Sequence, residues 1–230
     1  MRLHRFLTAV AGLALAGATA LAQSKPTVAV LYFNNGATGA ANAELAPLSK
    51  GIADILIQEM SVNTGIRVVE RDQLQKILEE QRLSQAGNID PATVVRVGKL
   101  LGVHHMVTGG FITNRTNDMN LTVRCFNVET GEVEFATNGL NKIDNLFVLV
   151  NSVARKINTG LKLPEIPRQV GEAREKAAEK VPYQAVMLYS RALIAKDAGK
   201  KDEAVQLFKQ TLAKFPEYEA AKKELAKLGA

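Results

Sequence analysis

Between Gly65 and Gly109 the chain reads G-I-R-V-V-E-R-D-Q-L-Q-K-I-L-E-E-Q and then D-P-A-T-V-V-R-V-G-K-L-L-G-V-H-H-M-V-T-G. Four short elements follow one another here, each with its own start and stop. Ile66, Val68 and Val69 form a β-favouring run after Gly65. Asp72 is read as the N-cap of a helix whose Leu74, Ile77 and Leu78 share one face. Gly87 and Asn88 break that helix. Asp90 then caps a second helix with Pro91 at its first position, where a missing N–H costs nothing. Val94, Val97 and Leu101 make its apolar stripe, Gly102 ends it, and Met106 and Val107 open the next strand.

The flanking sequence extends this pattern. Thr27 to Phe33 reads as a buried central strand, and Asn34 to Asn42 as a loop of small residues. Residues 43–62 form a long amphipathic helix with Pro47 near its start and Leu48, Ile52, Ile55, Leu56 and Met60 on its apolar side. His104 to Ile112 and Met119 to Val128 are strands, and the latter pairs with Glu132 to Asn138 across a turn in which Gly131 takes positive φ. Asp144 caps a last helix striped by Val150, Val153, Ala154, Ile157 and Leu161. The order β-α-β-α-α-β-β-β-α predicts an α/β domain over residues 23–163, a mixed sheet covered by helices.

Pro164 and Pro167 mark a boundary, and residues 164–182 form a linker and a charged helix. Residues 183–230 read as a small all-α tail. Ala185 to Tyr218 resembles one tetratricopeptide repeat: Gly199 turns the chain between two helices, Ala204 and Phe208 sit at their crossing, and Pro216 closes the unit. Ala185 and Ala195 stand where larger residues are usual, so the repeat is degenerate. A closing helix follows, Glu217 to Leu228. One repeat cannot bury its apolar face alone, so the tail must lean on the 168–180 helix, on the α/β domain, or on another chain.

The V-V-E-R strand end, the L-x-x-I-L-x-E-Q helix and the D-P-A-T…G-K-L-L-G-V…V-T-G run resemble the CsgG-related envelope proteins, over roughly residues 27–163 and most sharply between Arg67 and Gly109. The resemblance implies a periplasm-facing α/β domain that binds or assembles with other proteins, in curli-type secretion, appendage assembly or control of peptidoglycan synthases. It implies no enzyme, and it suggests a homo-oligomer. The residues taken as protein contacts are Glu70 and Arg71 at the strand edge, and Tyr189, Arg191 and Lys196 on the repeat. A structural salt bridge is the commoner role for a pair like Glu70 and Arg71.

Residues 1–22 have the form of a secretory signal: Arg2 and Arg5, an apolar run from Phe6 to Leu21, and a cleavage site at Ala20 to Ala22 or at Ala18 to Ala20. The expected location is the periplasm, with any outer-membrane association through partners. Gln23 follows the cleavage site where a lipoprotein of the family would carry an acylated cysteine. Residues 23–163 hold 14 Lys/Arg against 13 Asp/Glu, and residues 164–230 hold 13 against 10. With no basic run interleaved with aromatics, nucleic acid is not an expected partner. The single cysteine, Cys125, lies on a strand face with Leu121 and Val123 and reads as a buried core thiol.

No constellation for chemistry accompanies the fold. His104 and His105 are adjacent on a strand and face opposite ways, so no metal is expected. No G-x-S-x-G occurs, and no cofactor is expected. The Asn34–Gly39 loop sits where phosphate loops sit but lacks their residues, leaving a small-ligand or nucleotide-binding protein as the alternative reading. A pore is not expected, because the 132–138 arm is shorter than the roughly 9–11 residues of a membrane strand. No transmembrane segment is expected in the mature chain.

Overall fold

A computed structural model describes residues 25–81, 83 and 90–230. The residue 1–22 signal and the Gly87-Asn88 helix break lie outside these. The six described strands form one mixed sheet in the order β3-β1-β4-β5-β6. Strand β1 (Thr27–Val30) runs parallel to both β3 (Arg67–Val68) and β4 (His105–Thr113). The short β2 (Asn34–Asn35) also pairs with β4, continuing the line of β1.

The expected strand over 27–33 is therefore interrupted. Val30 lies opposite Val107 and Asn34 opposite Gly110, so the first strand spends one residue more than its neighbour between these points. The irregularity falls at Leu31 to Phe33. Leu31 N–H still donates to the Val107 carbonyl at 2.8 Å, whereas Phe33 N–H leaves the sheet for the Ser49 carbonyl at 3.1 Å. An extra residue of this kind bends a strand and redirects its side chains. All three side chains stay buried.

Strands β4, β5 (Asp118–Asn127) and β6 (Val133–Lys142) form an antiparallel meander. The β5–β6 turn is built as its residues require. Gly131 has φ 78°, and the Asn127 side chain accepts from the Glu129 and Thr130 N–H groups at 2.9 and 3.1 Å. The second arm is ten residues rather than the seven expected, long enough that its length does not exclude a membrane hairpin. This hairpin belongs to the domain's own sheet. Met119, Leu121, Val123 and Cys125 are fully buried on its inner face, and a Cβ on Gly139 would lie 2.6 Å from Leu149 Cδ1.

Helices α2 (Leu48–Ser61) and α5 (Leu146–Gly160) cover that inner face. Helix α4 (Pro91–Leu101) lies on the other side, where Gly98 approaches Met106 and Val128 so closely that a Cβ would sit 2.6 Å from each. Beyond α4 this second face is open among the described residues, with Ile112 54% and Leu140 68% exposed. Antiparallel sheets tolerate one solvated face.

Three cap expectations can be compared with the structure. Asp90 caps α4, accepting from the Thr93 N–H at 3.0 Å, and Gly102 ends it in the left-handed region. Helix α3 (Arg71–Glu80) begins two residues earlier than expected: Glu70 rather than Asp72 occupies the cap position, and Asp72 lies in the first turn. A 3-10 turn at Ile143–Asn145 precedes α5, whose cap residue is Asn145 rather than Asp144. The helix expected over 43–62 is two helices, α1 (Ala40–Leu45) and α2, divided at Ala46 and Pro47.

The tail consists of α6 (Arg168–Ala178), α7 (Tyr183–Asp197), α8 (Lys201–Lys214) and α9 (Glu219–Leu228). Gly199, at φ 72°, turns α7 into α8, and Leu193, Ala204 and Phe208 are fully buried between them. Of the supports open to it, the tail takes the α/β domain. Helix α7 packs on α2 and α5, and α2 ends up covered on both sides, by sheet and by tail. The α2–α7 crossing is at Gly51, where a Cβ would lie 1.8 Å from Ser190 Oγ. Aromatic packing seals the joint: the Tyr189 ring centroid is 5.6 Å from Phe208 and 4.9 Å from Tyr218, and Tyr218 meets Phe147 of α5 at 6.1 Å.

Candidate protein-contact site

The five residues taken from the sequence as contacts divide sharply. Arg71 is 3% exposed and Tyr189 1%, while Glu70 and Arg191 lie on the surface. Arg71 and Tyr189 both enter a buried polar network within the chain. Arg71 Nη1 donates to both Asp197 oxygens at 2.8 and 2.9 Å, its Nη2 to Asp72 at 3.0 Å, and its Nε stands 3.7 Å from Asp54. Lys50 donates to the same Asp197 at 2.5 Å. The Tyr189 hydroxyl donates to Asp54 at 2.6 Å, as does Gln58 Nε2 at 2.6 Å. Arg71 thus joins α3 to the end of α7, and Tyr189 joins α7 to α2.

Burial dominates the electrostatics here. It pushes the Asp54 carboxyl up, against the Tyr189 hydrogen bond and the Arg71 charge. It pulls Lys50 down, against the pairing with Asp197. For Arg71 burial acts in the lowering direction, but the Asp197 charge prevails and the guanidinium is held cationic. Tyr189 is raised by burial and by Asp54. Two cations and two carboxylates share the pocket, so the network is balanced, and each member is hydrogen-bonded or ion-paired. An arrangement like this fixes one docking geometry at a desolvation cost.

Lys196 belongs to a second, outer cluster. It donates to Asp72 at 3.0 Å and to Glu224 at 2.5 Å, and Lys227 bonds the same two acids at 3.1 and 2.8 Å. Burial acts to raise Asp72, but the Lys196 hydrogen bond and charge hold it below the usual carboxylate range. Helix α9 is tied in this way to the start of α3. Lys50, Asp54 and Asp197 were not picked out from the sequence. A signal existed: Lys50 and Asp54 are charges one helical turn apart inside an otherwise apolar helix.

Arg191 faces away from the network, on the opposite side of α7. There α7, α8 and Glu44 of α1 line an open groove of about 460 Å³. It is lined by Tyr183, Met187, Leu188 and Arg191 of α7 and by Gln210 and Lys214 of α8. Burial, with Glu44 nearby, pushes the Tyr183 phenol up to about 12.

The remaining groups weighed for chemistry all have local partners. His104 Nδ1 lies 2.7 Å from Thr27 Oγ1, and His105 Nδ1 is 2.5 Å from Glu134. Among the described residues no three His, Cys, Asp or Glu side chains gather as a metal site would need. Burial pushes the Cys125 thiol up to about 12. In the Asn34–Gly39 loop, Gly36 N–H donates to the Phe111 carbonyl at 2.9 Å and Ala37 N–H to Asn35 Oδ1 at 3.0 Å. Those donors are spent internally, and the six-residue α1 that follows is a single short helix rather than a phosphate cradle.

A strand–helix–helix–strand half sheet joined to an antiparallel hairpin, with a helical tail docked on its main helix, defines an α/β protein of mixed-sheet type. Residues 11–118, just under half of the chain, match the sequence model of the family described as curli production assembly/transport component CsgG. The match runs to the first residue of β5, so the hairpin, α5 and the tail lie outside it. No curated protein matches the chain in sequence. Among solved structures, the C-terminal domain of LpoB from Escherichia coli aligns with a TM-score of 0.39 at 20% identity, over 52% of this chain and 84% of that one. A lipoprotein from Neisseria meningitidis gives 0.41 at 12% identity, over 59% and 98%. The PelC dodecamer from Paraburkholderia phytofirmans gives 0.36 at 13%, over 64% and 93%. Likenesses of this size say nothing about function.

Proposed function

We propose that this chain is an exported, non-catalytic protein that binds or organises a protein assembly of the cell envelope. The observation that carries the reading is the CsgG match over residues 11–118, which spans the capped α3–α4 region together with β1 and β4. That family's description concerns assembly and transport, and the same kind of work is proposed here: surface recognition in secretion, appendage assembly or peptidoglycan-synthase control. Residues 1–22 act as the export signal, residues 23–163 as the CsgG-like domain, residues 164–182 as its linker and helix, and residues 183–230 as a single degenerate tetratricopeptide repeat with a closing helix. The periplasm is the working compartment. The internal engagement of the loop donors removes the specific support for the ligand-binding alternative.

The surface available for such work is narrower than the sequence suggested. Arg71 and Tyr189 serve the chain's own assembly, which leaves Glu70 and Arg191 facing outward. Crosslinking in periplasm followed by affinity capture, beside light scattering on the purified mature protein, tests the reading. Recovery of defined envelope proteins is the expected result. Turnover of a substrate that is lost on changing one side chain, or a chain that crosslinks to nothing, would overturn it.

A further inference from the structure

Strand β6 ends the sheet, and nothing among the described residues pairs with its far side. One bond fixes which way its backbone groups point. Ile143 N–H, just past the strand's end, donates to the Asn117 carbonyl at 2.8 Å, and bonded and unbonded pairs alternate along an antiparallel ladder. Phe135, Thr137, Gly139 and Asn141 therefore turn their N–H and C=O groups to β5, and Ala136, Asn138 and Leu140 turn theirs outward. Lys156 of α5 agrees with this direction, reaching round the edge to the Asn138 carbonyl at 2.8 Å. The other outward groups of Ala136, Asn138 and Leu140 have no partner among the described residues. Edge strands are ordinarily blunted by proline or by charge. From Phe135 to Asn141 this one carries neither.

Resting on the protein-binding reading above, we infer that β6 accepts a further strand, an extended segment of another polypeptide about five residues long that pairs with Ala136 to Leu140. Only an extended backbone matches N–H and C=O groups repeating every second residue over about 14 Å. The side chains on the sheet's open face set one requirement. Ile112, Asn120 and Leu140 stand side by side across β4, β5 and β6, with Ile112 and Leu140 exposed, so the incoming residue opposite Leu140 is apolar and extends that row. On the other face a groove of about 550 Å³ between β6 and α5, lined by Phe135, Thr137, Ser152 and Thr159, takes the alternate side chains. The occupant is not the β6 of a second copy. Helix α5 lies under β6, where a Cβ on Gly139 would meet Leu149 and Val153 and one on Gly160 would meet the Phe135 ring. Edge-to-edge pairing would set two such helices side by side at little more than the strand spacing of about 4.8 Å, against the roughly 8–10 Å that packed helices need. A strand with no helix beneath it fits.

The test is selection of a displayed random peptide library on the full mature chain, counter-selected on Ala136→Pro. That substitution removes one outward N–H and leaves the β5 ladder whole, the placement at which a strand tolerates proline. Circular dichroism verifies the fold, and Leu140→Lys, at an exposed position, replaces the variant if it misfolds. The expected peptides alternate apolar and polar residues, lack proline in their central five positions, and bind the variant at least about tenfold more weakly. Amide exchange followed by NMR adds a readout that binding elsewhere would not move. A bound peptide should slow exchange at Ala136, Asn138 and Leu140 by at least about tenfold and leave Thr137 and Gly139, already bonded to β5, nearly unchanged. No enrichment on the wild-type chain, equal binding to the variant, or no new protection at the three outward amides would overturn the inference. So would a dimer by light scattering that Ala136→Pro converts to monomer, since the occupant would then be a second copy. Crosslinking capture is run on both proteins in parallel. If both recover the same envelope proteins, the β6 edge is not the site but the protein-binding reading stands. If the wild-type chain recovers none, that reading itself falls.

Discussion

Replacing Arg71 by Ala asks whether the tail is held to the sheet domain by a buried ion pair or only by apolar packing. The guanidinium is 3% exposed and its principal acceptor, Asp197, is 6% exposed at the side chain. Its removal deletes two short bonds to Asp197 and the nearest cation to Asp54, leaving Lys50 alone against two buried carboxylates. Breaking a buried pair from one side costs about 3–5 kcal/mol. Lys50 remains 2.5 Å from Asp197, so a value near the lower end, about 3 kcal/mol, is expected. Urea unfolding followed by circular dichroism reads this directly. With a slope of about 2 kcal/mol/M, the midpoint should fall by about 1.5 M. Arg71→Lys should recover part of the loss, because a lysine keeps the charge but not the forked contact. In a double-mutant cycle with Asp197→Ala, the two losses should overlap by at least about 1.5 kcal/mol. A loss below about 1 kcal/mol, or additive losses, would show that the aromatic joint alone docks the tail and that the network contributes nothing to it.

Gly51→Val places branched carbon where a single Cβ would already lie 1.8 Å from Ser190 Oγ, so α2 and α7 must part. A loss of about 1–3 kcal/mol is expected, seen as a drop in Tm of about 3–10 °C; an unchanged Tm would refute the close crossing. Cys125, with its thiol pushed up to about 12 by burial, should resist Ellman's reagent at neutral pH in the folded protein and react fully in urea. Native-state reaction at the rate of a free thiol would contradict its placement. Asp72 is held below its ordinary range, so its contribution is present above that range and lost as pH falls through the folded value. Asp72→Asn should therefore flatten the loss of stability on acidification, read from urea midpoints between about pH 5 and pH 3; an acid limb as steep as wild type would remove Asp72 from the joint.

The elements that could be read from sequence were those with local causes. The α4 helix between Asp90 and Gly102, the Gly131 turn and the burial of Cys125 each depend on neighbours a few residues away, and the residues themselves announce them. The break at Ala46 and Pro47 was missed because a proline in the first turn of a helix and a proline between two helices leave the same apolar stripe behind it. The irregularity at Leu31 to Phe33 was hidden for another reason: a run that is apolar throughout gives no alternation from which a slipped register could be noticed. The start of α3 lies two residues before the expected one, because Glu70, Arg71 and Asp72 are all compatible with a first turn. What defines the site was the least accessible. Arg71 and Tyr189 look like surface residues of separate domains until α7 is laid on α2, and Asp197 sits 126 residues from its partner in the chain. Only Lys50 and Asp54, charges inside an apolar helix, hinted that something other than solvent would meet them.

The doubly covered position of α2 governs the order in which the protein can be completed. Synthesis from the N-terminus delivers α2 early, while the helix that shields its outer side does not begin until Tyr183. Until then Lys50, Asp54 and the Gly51 notch face water beside a stripe of leucine and isoleucine. The helical tail from α7 onward therefore behaves as the closing stone of the core, and a chain cut short at the Pro164–Pro167 boundary would leave an open, adhesive helix on its surface.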